Sequence, residues 1–171
     1  MLTFLNLEAE GFCSIESLHL QLNPTCTILI KAPNGKGKST ILSALVWAIY
    51  GKNLKGVSEV NTWKQVRPKD YKGTKVQVYF QKDSHTYKIV RCQKYDEVLE
   101  DGAKGKDRLI FMKDGDIVDI KGKGKIQDFI NREIGLSYTL FMNSIMFGQG
   151  IKRLIQESNS DKKRYSKKYL T

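Results

Sequence analysis

At 171 residues, 40% apolar and 27% charged, the chain has the composition of one globular domain, or one domain with an appendage, and not of a disordered protein. No apolar run approaches the roughly 20 residues of a membrane helix, and the acid-bearing N-terminus lacks the basic start of a signal peptide. The formal net charge of +11 points to a polyanionic partner, nucleic acid first, with a solvated lysine-rich surface as the plainer alternative.

Leu2, Phe4 and Leu7 open a strand that ends near Gly11. Residues 15–22 follow, with Leu18, Leu20 and Leu22 facing one way, and Asn23-Pro24 turns the chain. Residues 27–30 form a short β-branched apolar run, which predicts an inner strand buried on both faces. Next comes the loop Ala32-Pro33-Asn34-Gly35-Lys36-Gly37, and from Lys38 a helix to about Tyr50. Ile41, Leu42, Leu45, Val46 and Ile49 give that helix a buried face, and Gly51 suits its C-terminal cap.

Strand, glycine loop and helix in that order are the context of a phosphate-binding P-loop. Gly35 and Gly37 let the backbone approach an anion without a Cβ in the way. Loop N–H groups and the helix N-terminus then point at phosphate oxygens. Lys38 reaches the β/γ phosphates, and the Ser39 hydroxyl is placed to ligate Mg²⁺. The pattern G-x-x-x-x-G-K-[ST] has Ala32 in its first position here, and alanine disfavours positive φ. The alternative is a glycine-rich turn before an ordinary buried helix. Strand and helix in register favour phosphate.

Residues 52–74 read as a long polar connection. Within it, Asn61-Thr62-Trp63 offers an aromatic beside small polar groups, making Thr62 a candidate contact near a nucleotide base. A tryptophan anchoring the loop on the core fits equally well. A hairpin follows over 75–81 and 85–93. Residues 94–107 are charged and glycine-containing, which predicts a mobile excursion. A second hairpin runs over 108–113 and 116–120 through Asp114-Gly115. Asp114, Asp116 and Asp119 lack the 12-residue calcium-loop pattern. Lys121-Gly122-Lys123-Gly124-Lys125 reads as a flexible basic linker. Ile126, Phe129, Ile130 and Ile134 then mark an amphipathic helix stopped by Gly135. Ser137 is placed to cap a further helix with Leu140, Phe141 and Ile145, and Gly148-Gln149-Gly150 breaks it. Residues 151–171 are helical in pattern and hold seven Lys/Arg against Glu157 and Asp161, either a solvated helix or a phosphate-contacting face.

Cys13, Cys26 and Cys92 are widely spaced and suggest neither zinc nor a disulfide framework, so they read as free thiols of a reducing compartment. His19 and His85 read as structural or surface residues. An ATPase also needs an acid at the end of an apolar strand to organise Mg²⁺. Leu109-Ile110-Phe111-Met112 comes nearest, but Lys113 intervenes before the Asp114 turn. The chain looks like half of an ATPase.

The order of parts resembles the N-terminal ATPase segment of the SMC-like DNA repair ATPases, the large subunits of SbcCD-type nuclease complexes and their phage recombination-endonuclease counterparts. The matching pieces are Gly11-Phe12, Leu18 to Leu22, Ile28-Leu29-Ile30, Pro33 to Thr40, Ala48-Ile49-Tyr50-Gly51, Ile134-Gly135-Leu136-Ser137, and Phe147-Gly148-Gln149-Gly150. The resemblance implies an α/β fold: an ABC-type P-loop ATPase lobe with a mixed sheet, an antiparallel β portion and a helical arm. It implies a lobe over 1–150 and a basic helix over 151–171 that starts a coiled coil. It implies ATP and Mg²⁺ as cofactors. Asn34, Gly35, Lys36, Gly37, Lys38, Ser39 and Thr40 would hold the phosphates. Gln149 would be the Q-loop glutamine, touching Mg²⁺ or the attacking water and sensing the γ-phosphate, so that Lys38 and Gln149 are the catalytic pair within this chain.

In such a family the signature motif, the acidic strand and the catalytic glutamate come from a C-terminal half beyond a long coiled coil. Implied partners are that half, a second ATPase head, a nuclease subunit and double-stranded DNA, with no membrane, in the cytoplasm of a bacterial or phage-infected cell. Relatives often carry a basic residue just after the first strand. Here that position is Cys13. A stand-alone P-loop enzyme would need its own acidic strand and an arginine lid, and neither is found. A separately encoded, non-enzymatic nucleotide- or DNA-binding half-module remains open.

Overall fold

The computed structural model describes residues 1–22, 27–60 and 70–146. The chain divides into two compact units, Met1–Gly135 and Leu136–Thr171, the second described only over residues 136–146.

In the first unit, β1 (Leu2–Phe12), β2 (Ile15–Gln21), β3 (Thr74–Lys82), β4 (His85–Gln93), β7 (Leu109–Lys113) and β8 (Asp116–Ile117) form one sheet in the order β2-β1-β3-β4-β7-β8. Every pairing in it is antiparallel. β5 (Tyr95–Val98) and β6 (Lys104–Lys106) form a separate two-stranded ribbon. Helix α1 (Lys38–Tyr50) lies against β1, β3 and β4, and α2 (Lys123–Ile134) against β7 and α1.

The alternation seen in the sequence becomes the inner face. Val76, Val78 and Phe80 of β3 and Tyr87 and Ile89 of β4 are all buried. Aromatic rings run across the strands onto α2. Phe80 stacks on Tyr87 at 4.9 Å, Tyr87 on Phe111 at 5.6 Å, and Phe111 meets Phe129 edge-on at 5.5 Å. Asp114 and Gly115 both take positive φ, the requirement of a two-residue hairpin turn. The Asp114 carboxylate also accepts the Thr86 N–H at 2.9 Å and pairs with His85 at 2.6 Å.

The P-loop helix begins and ends where its sequence places it. Gly51, at φ +70, donates its N–H to Trp47 O at 2.8 Å. Ser137 caps α3 (Tyr138–Ser144), accepting the Leu140 N–H at 3.3 Å. Among the thiols, Cys92 is buried, and burial pushes it up to about 12. Cys13 is half-buried, and Cys26 lies outside the described residues.

Three expectations need correction. Residues 27–30 are not an inner strand: Ile28 is 40% and Leu29 85% exposed, and no described residue pairs with them. Every described pairing of the sheet is antiparallel and joins other strands, which leaves no described neighbour beside this segment. Residues 94–107 are not a bare excursion. Tyr95 is 1% exposed, and its hydroxyl accepts from Lys75 at 3.0 Å and donates to Glu10 at 3.0 Å, which pins the β5–β6 ribbon to β1 and β3. The lysine-glycine run 121–125 is not all linker, because α2 already starts at Lys123. That lysine's ammonium reaches Asp107 O at 2.9 Å.

The end of β1 is a close backbone crossing. Gly11 sits at φ +60, and a Cβ there would stand 2.2 Å from Gly73 O. Thr74 Oγ1 donates to Gly11 O at 2.6 Å across the same junction. Gly11→Ala is expected to destabilise the fold by roughly 2–4 kcal/mol, through positive-φ strain and a backbone overlap that no rotamer relieves. Urea unfolding checks this. A parental midpoint would show that the strands do not approach so closely.

Candidate functional site

The P-loop region is built on the N-terminus of α1. Gly35 and Gly37 take φ +80 and +83, and Gly37 is the N-cap residue, with no side-chain cap. Thr40 and Ile41 donate their N–H groups back to Gly37 O at 2.9 and 3.2 Å, and Lys36 N–H meets Pro33 O at 3.4 Å. The N–H groups of Gly35, Gly37, Lys38 and Ser39 donate to no described residue. These are the loop donors and first-turn donors that an anion satisfies. A Cβ on Gly35 would meet nothing within 4 Å, so the loop is open where a ligand would lie.

Lys38 folds back over the loop. Its ammonium donates to Ala32 O at 2.6 Å and Pro33 O at 2.9 Å. These carbonyls hold the charge at the loop mouth. Ala32 is not among the positive-φ residues, so alanine in place of the pattern's first glycine carries no backbone strain. Asn34, Lys36 and Ser39 are exposed, and Thr40 is half-buried. The exposed Ser39 hydroxyl in the first helical turn has the chemistry of a hard-cation ligand, so the residues present fit a Mg²⁺–polyphosphate.

The structure thus brings Asn34 through Thr40 together. Thr62 and Gln149 lie outside the described residues, as does the basic segment 151–171. Among the described residues no helix is long and apolar enough to cross a membrane.

Two parts of this region have little signal in the sequence. The first is the turn Cys13-Ser14 between β1 and β2. Cys13 takes φ +51, donates its N–H to Val60 O at 3.1 Å, and has its thiol pushed up by burial. Ser14 Oγ would lie 3.3 Å from a Cβ on Gly37.

The second is Arg91 on β4, only 4% exposed. Its guanidinium donates to Ala48 O at 2.9 Å, to Ile49 O at 3.2 Å and to Gln127 Oε1, and lies 5.8 Å from the Trp47 ring centre. Gln127 Nε2 also donates to Ile49 O at 2.9 Å. Helix α1 has no basic residue in its own last turn, so β4 supplies the cation that its carbonyl end attracts. Burial pulls the Arg91 pKa down to about 9, which leaves it charged at neutral pH. The readable signal is parity, since Arg91 shares a face with Tyr87 and Ile89.

A family model described as an AAA domain (AAA_23) matches residues 6–171. The chain belongs to this AAA domain family. The AAA domain is 23% identical over 164 residues to the DNA double-strand break repair Rad50 ATPase of Methanopyrus kandleri, covering 92% of this chain and 17% of that protein. It is 28% identical over 161 residues to the probable DNA double-strand break repair Rad50 ATPase of Aquifex aeolicus, covering 93% of this chain and 16% of that one. The AAA domain therefore spans about one sixth of the length of these curated relatives. A solved structure described under ATP-driven dimerization and DNA-stimulated activation of SMC ATPases superposes with a TM-score of 0.58 at 20% identity, over 99% of both chains. That likeness carries the fold: mixed α/β, with an antiparallel sheet and few helices. The sequence motifs lead to the N-terminal segment of an SMC-like, SbcC-type repair ATPase, and the family model and relatives support an N-terminal SMC/Rad50-like ATPase segment.

Proposed function

We propose that this AAA domain is the N-terminal half of an ATP-binding and ATP-hydrolysing head that serves DNA double-strand break processing and recombination, and that a C-terminal half of the same protein completes it. The observation that carries the reading is the set of N–H donors at Gly35, Gly37, Lys38 and Ser39, unanswered among the described residues, beside the Lys38 ammonium. Asn34 to Thr40 cradle the phosphates, and Lys38 takes the β/γ oxygens in place of Ala32 O and Pro33 O. Ser39 and Gln149 hold Mg²⁺, Gln149 also senses the γ-phosphate, and Thr62 lies near the base. When bound, Mg²⁺ supplies neutralisation of the phosphate charge.

The exposed apolar run 27–30 supports completion from outside. Leu29, 85% exposed, suits a strand that pairs with a segment of the missing half. Residues 1–150 act as the lobe and 151–171 as the start of a coiled coil. The names of the two Rad50 relatives support the repair context. ATP-driven dimerization and DNA-stimulated activation, attributed to the SMC ATPases of the similar solved structure, support pairing with a second head and a response to DNA. Regulation of a partner nuclease on DNA ends, in the cytoplasm of a bacterial or phage-infected cell, completes the proposal.

The test is reconstitution. The 171-residue chain alone is expected to bind ATP without turning it over. Turnover is expected when the C-terminal half is added, and to vanish when that half is paired with Lys38→Ala. Hydrolysis by the isolated chain at an ordinary rate, on the order of 1 s⁻¹ or more, would refute the half-enzyme reading. The same preparation is expected to bind duplex DNA without sequence preference and to lose affinity steeply with salt.

A further inference from the structure

We propose that Ser14 is a phosphate-contacting residue of this site: the β1–β2 turn forms a second wall beside the P-loop, and the Ser14 hydroxyl, together with that of Thr40, donates to the polyphosphate of a nucleoside di- or triphosphate on the Gly37 side. This inference rests on the phosphate-binding reading above.

The turn is as short as a hairpin allows. Phe12 pairs directly with Ile15, so Cys13 and Ser14 alone make the reversal. It is held at two points, one of them itself anchored. Phe12 is fully buried, with its ring 5.6 Å from that of Trp47 on α1. The Cys13 N–H donates to Val60 O at 3.1 Å. The Val60 N–H in turn donates to Gln93 Oε1 at 2.9 Å. These contacts fix the backbone of the turn beside the N-terminus of α1.

Ser14 is exposed, and it faces the N-cap of α1. From the position of a Cβ on Gly37, Ser14 Oγ is 3.3 Å away and Thr40 Oγ1 is 3.8 Å away. Two hydroxyls thus converge on one side of the residue whose N–H, with those of Lys38 and Ser39, is unanswered among the described residues. Gly37 is needed there for its φ of +83, and any Cβ would also crowd the Ser14 hydroxyl. A hydroxyl donates to an anionic oxygen without bringing a charge of its own, so Ser14 adds orientation and one hydrogen bond to a site whose charge comes from Lys38.

The experiment is ADP titration of the 171-residue chain with Mg²⁺, followed by calorimetry, alongside thermal unfolding without nucleotide. Ser14→Ala is expected to leave the nucleotide-free Tm at the parental value and to weaken ADP by about tenfold, the size of one hydrogen bond to a charged group. Ser14→Thr keeps the hydroxyl and is expected to retain most of the parental affinity. Parental ADP affinity in Ser14→Ala, with binding lost in Lys38→Ala, overturns the role of Ser14 and leaves the P-loop reading standing. Equal weakening by Ser14→Ala and Ser14→Thr, or a fall in nucleotide-free Tm that accounts for the weakening, also overturns it. Equal ADP binding by the parent and Lys38→Ala means instead that the phosphate site itself has been misplaced.

Discussion

Lys38→Ala is expected to weaken ATP or ADP binding by roughly 10- to 100-fold, which is what the loss of a lysine's charge-assisted contacts to phosphate implies. The structure argues that this loss is specific. The ammonium rests on Ala32 O and Pro33 O, two carbonyls at the loop mouth that water can satisfy when the side chain is gone. Lys38 lies in the first turn of α1, away from the buried run Ala44–Tyr50, so the fold does not depend on it. Calorimetric titration gives the affinity, and circular dichroism melting checks that the variant is folded. A Lys38→Ala protein with parental affinity would remove the P-loop from the proposed site.

Arg91→Met is expected to lower stability by about 2–4 kcal/mol, or roughly 5–15 °C in Tm for a chain of this size. Removing the guanidinium orphans Ala48 O inside the core and leaves Gln127 Oε1 without its donor, while Ile49 O keeps only Gln127 Nε2. Methionine fills much of the space but offers no donor. Arg91→Lys is expected to recover little of the loss, because one ammonium cannot span the carbonyls of Ala48 and Ile49 and the Gln127 amide as a planar fork does. A melt of Arg91→Met within about 2 °C of the parent would mean that these buried hydrogen bonds contribute little.

The parts of the molecule that the sequence makes legible are those dictated locally. The loop glycines and the ends of α1 are read to the residue, because glycine at positive φ and helix capping are local requirements, whereas Leu42, expected on the buried face, is 37% exposed. The two main hairpins follow from period-2 alternation and the Asp114-Gly115 turn, and Ser137 from cap chemistry. Apart from the start of α2 at Lys123, the corrected expectations fail on long-range contacts. The apolar run 27–30 has the composition of an inner strand, yet burial depends on neighbours that composition does not name. Tyr95 sits in a stretch with the composition of a charged excursion, and Lys75 and Glu10, from two other strands, join its neighbour Glu97 around its hydroxyl. Arg91 and Ser14 lie where β4 and the β1–β2 turn meet the two ends of α1; parity with Tyr87 and Ile89 places Arg91 on the inner face, but nothing adjacent in sequence names the partners of either.

The register of β1 against β3 carries one more consequence, for the order in which the molecule assembles. β3 with β4, and β7 with β8, need close only tight turns, whereas β1 pairs with β3 across the intervening residues 13–73. Closing that long loop costs chain entropy before any of the pairing is gained. The whole P-loop, with α1 and the Ser14 turn, lies inside it. The nucleotide site is therefore expected to be among the last parts to form and among the first to open. A bound nucleotide would then act as the clasp on β1, making the protein's resistance to local unfolding a readout of whether its site is filled.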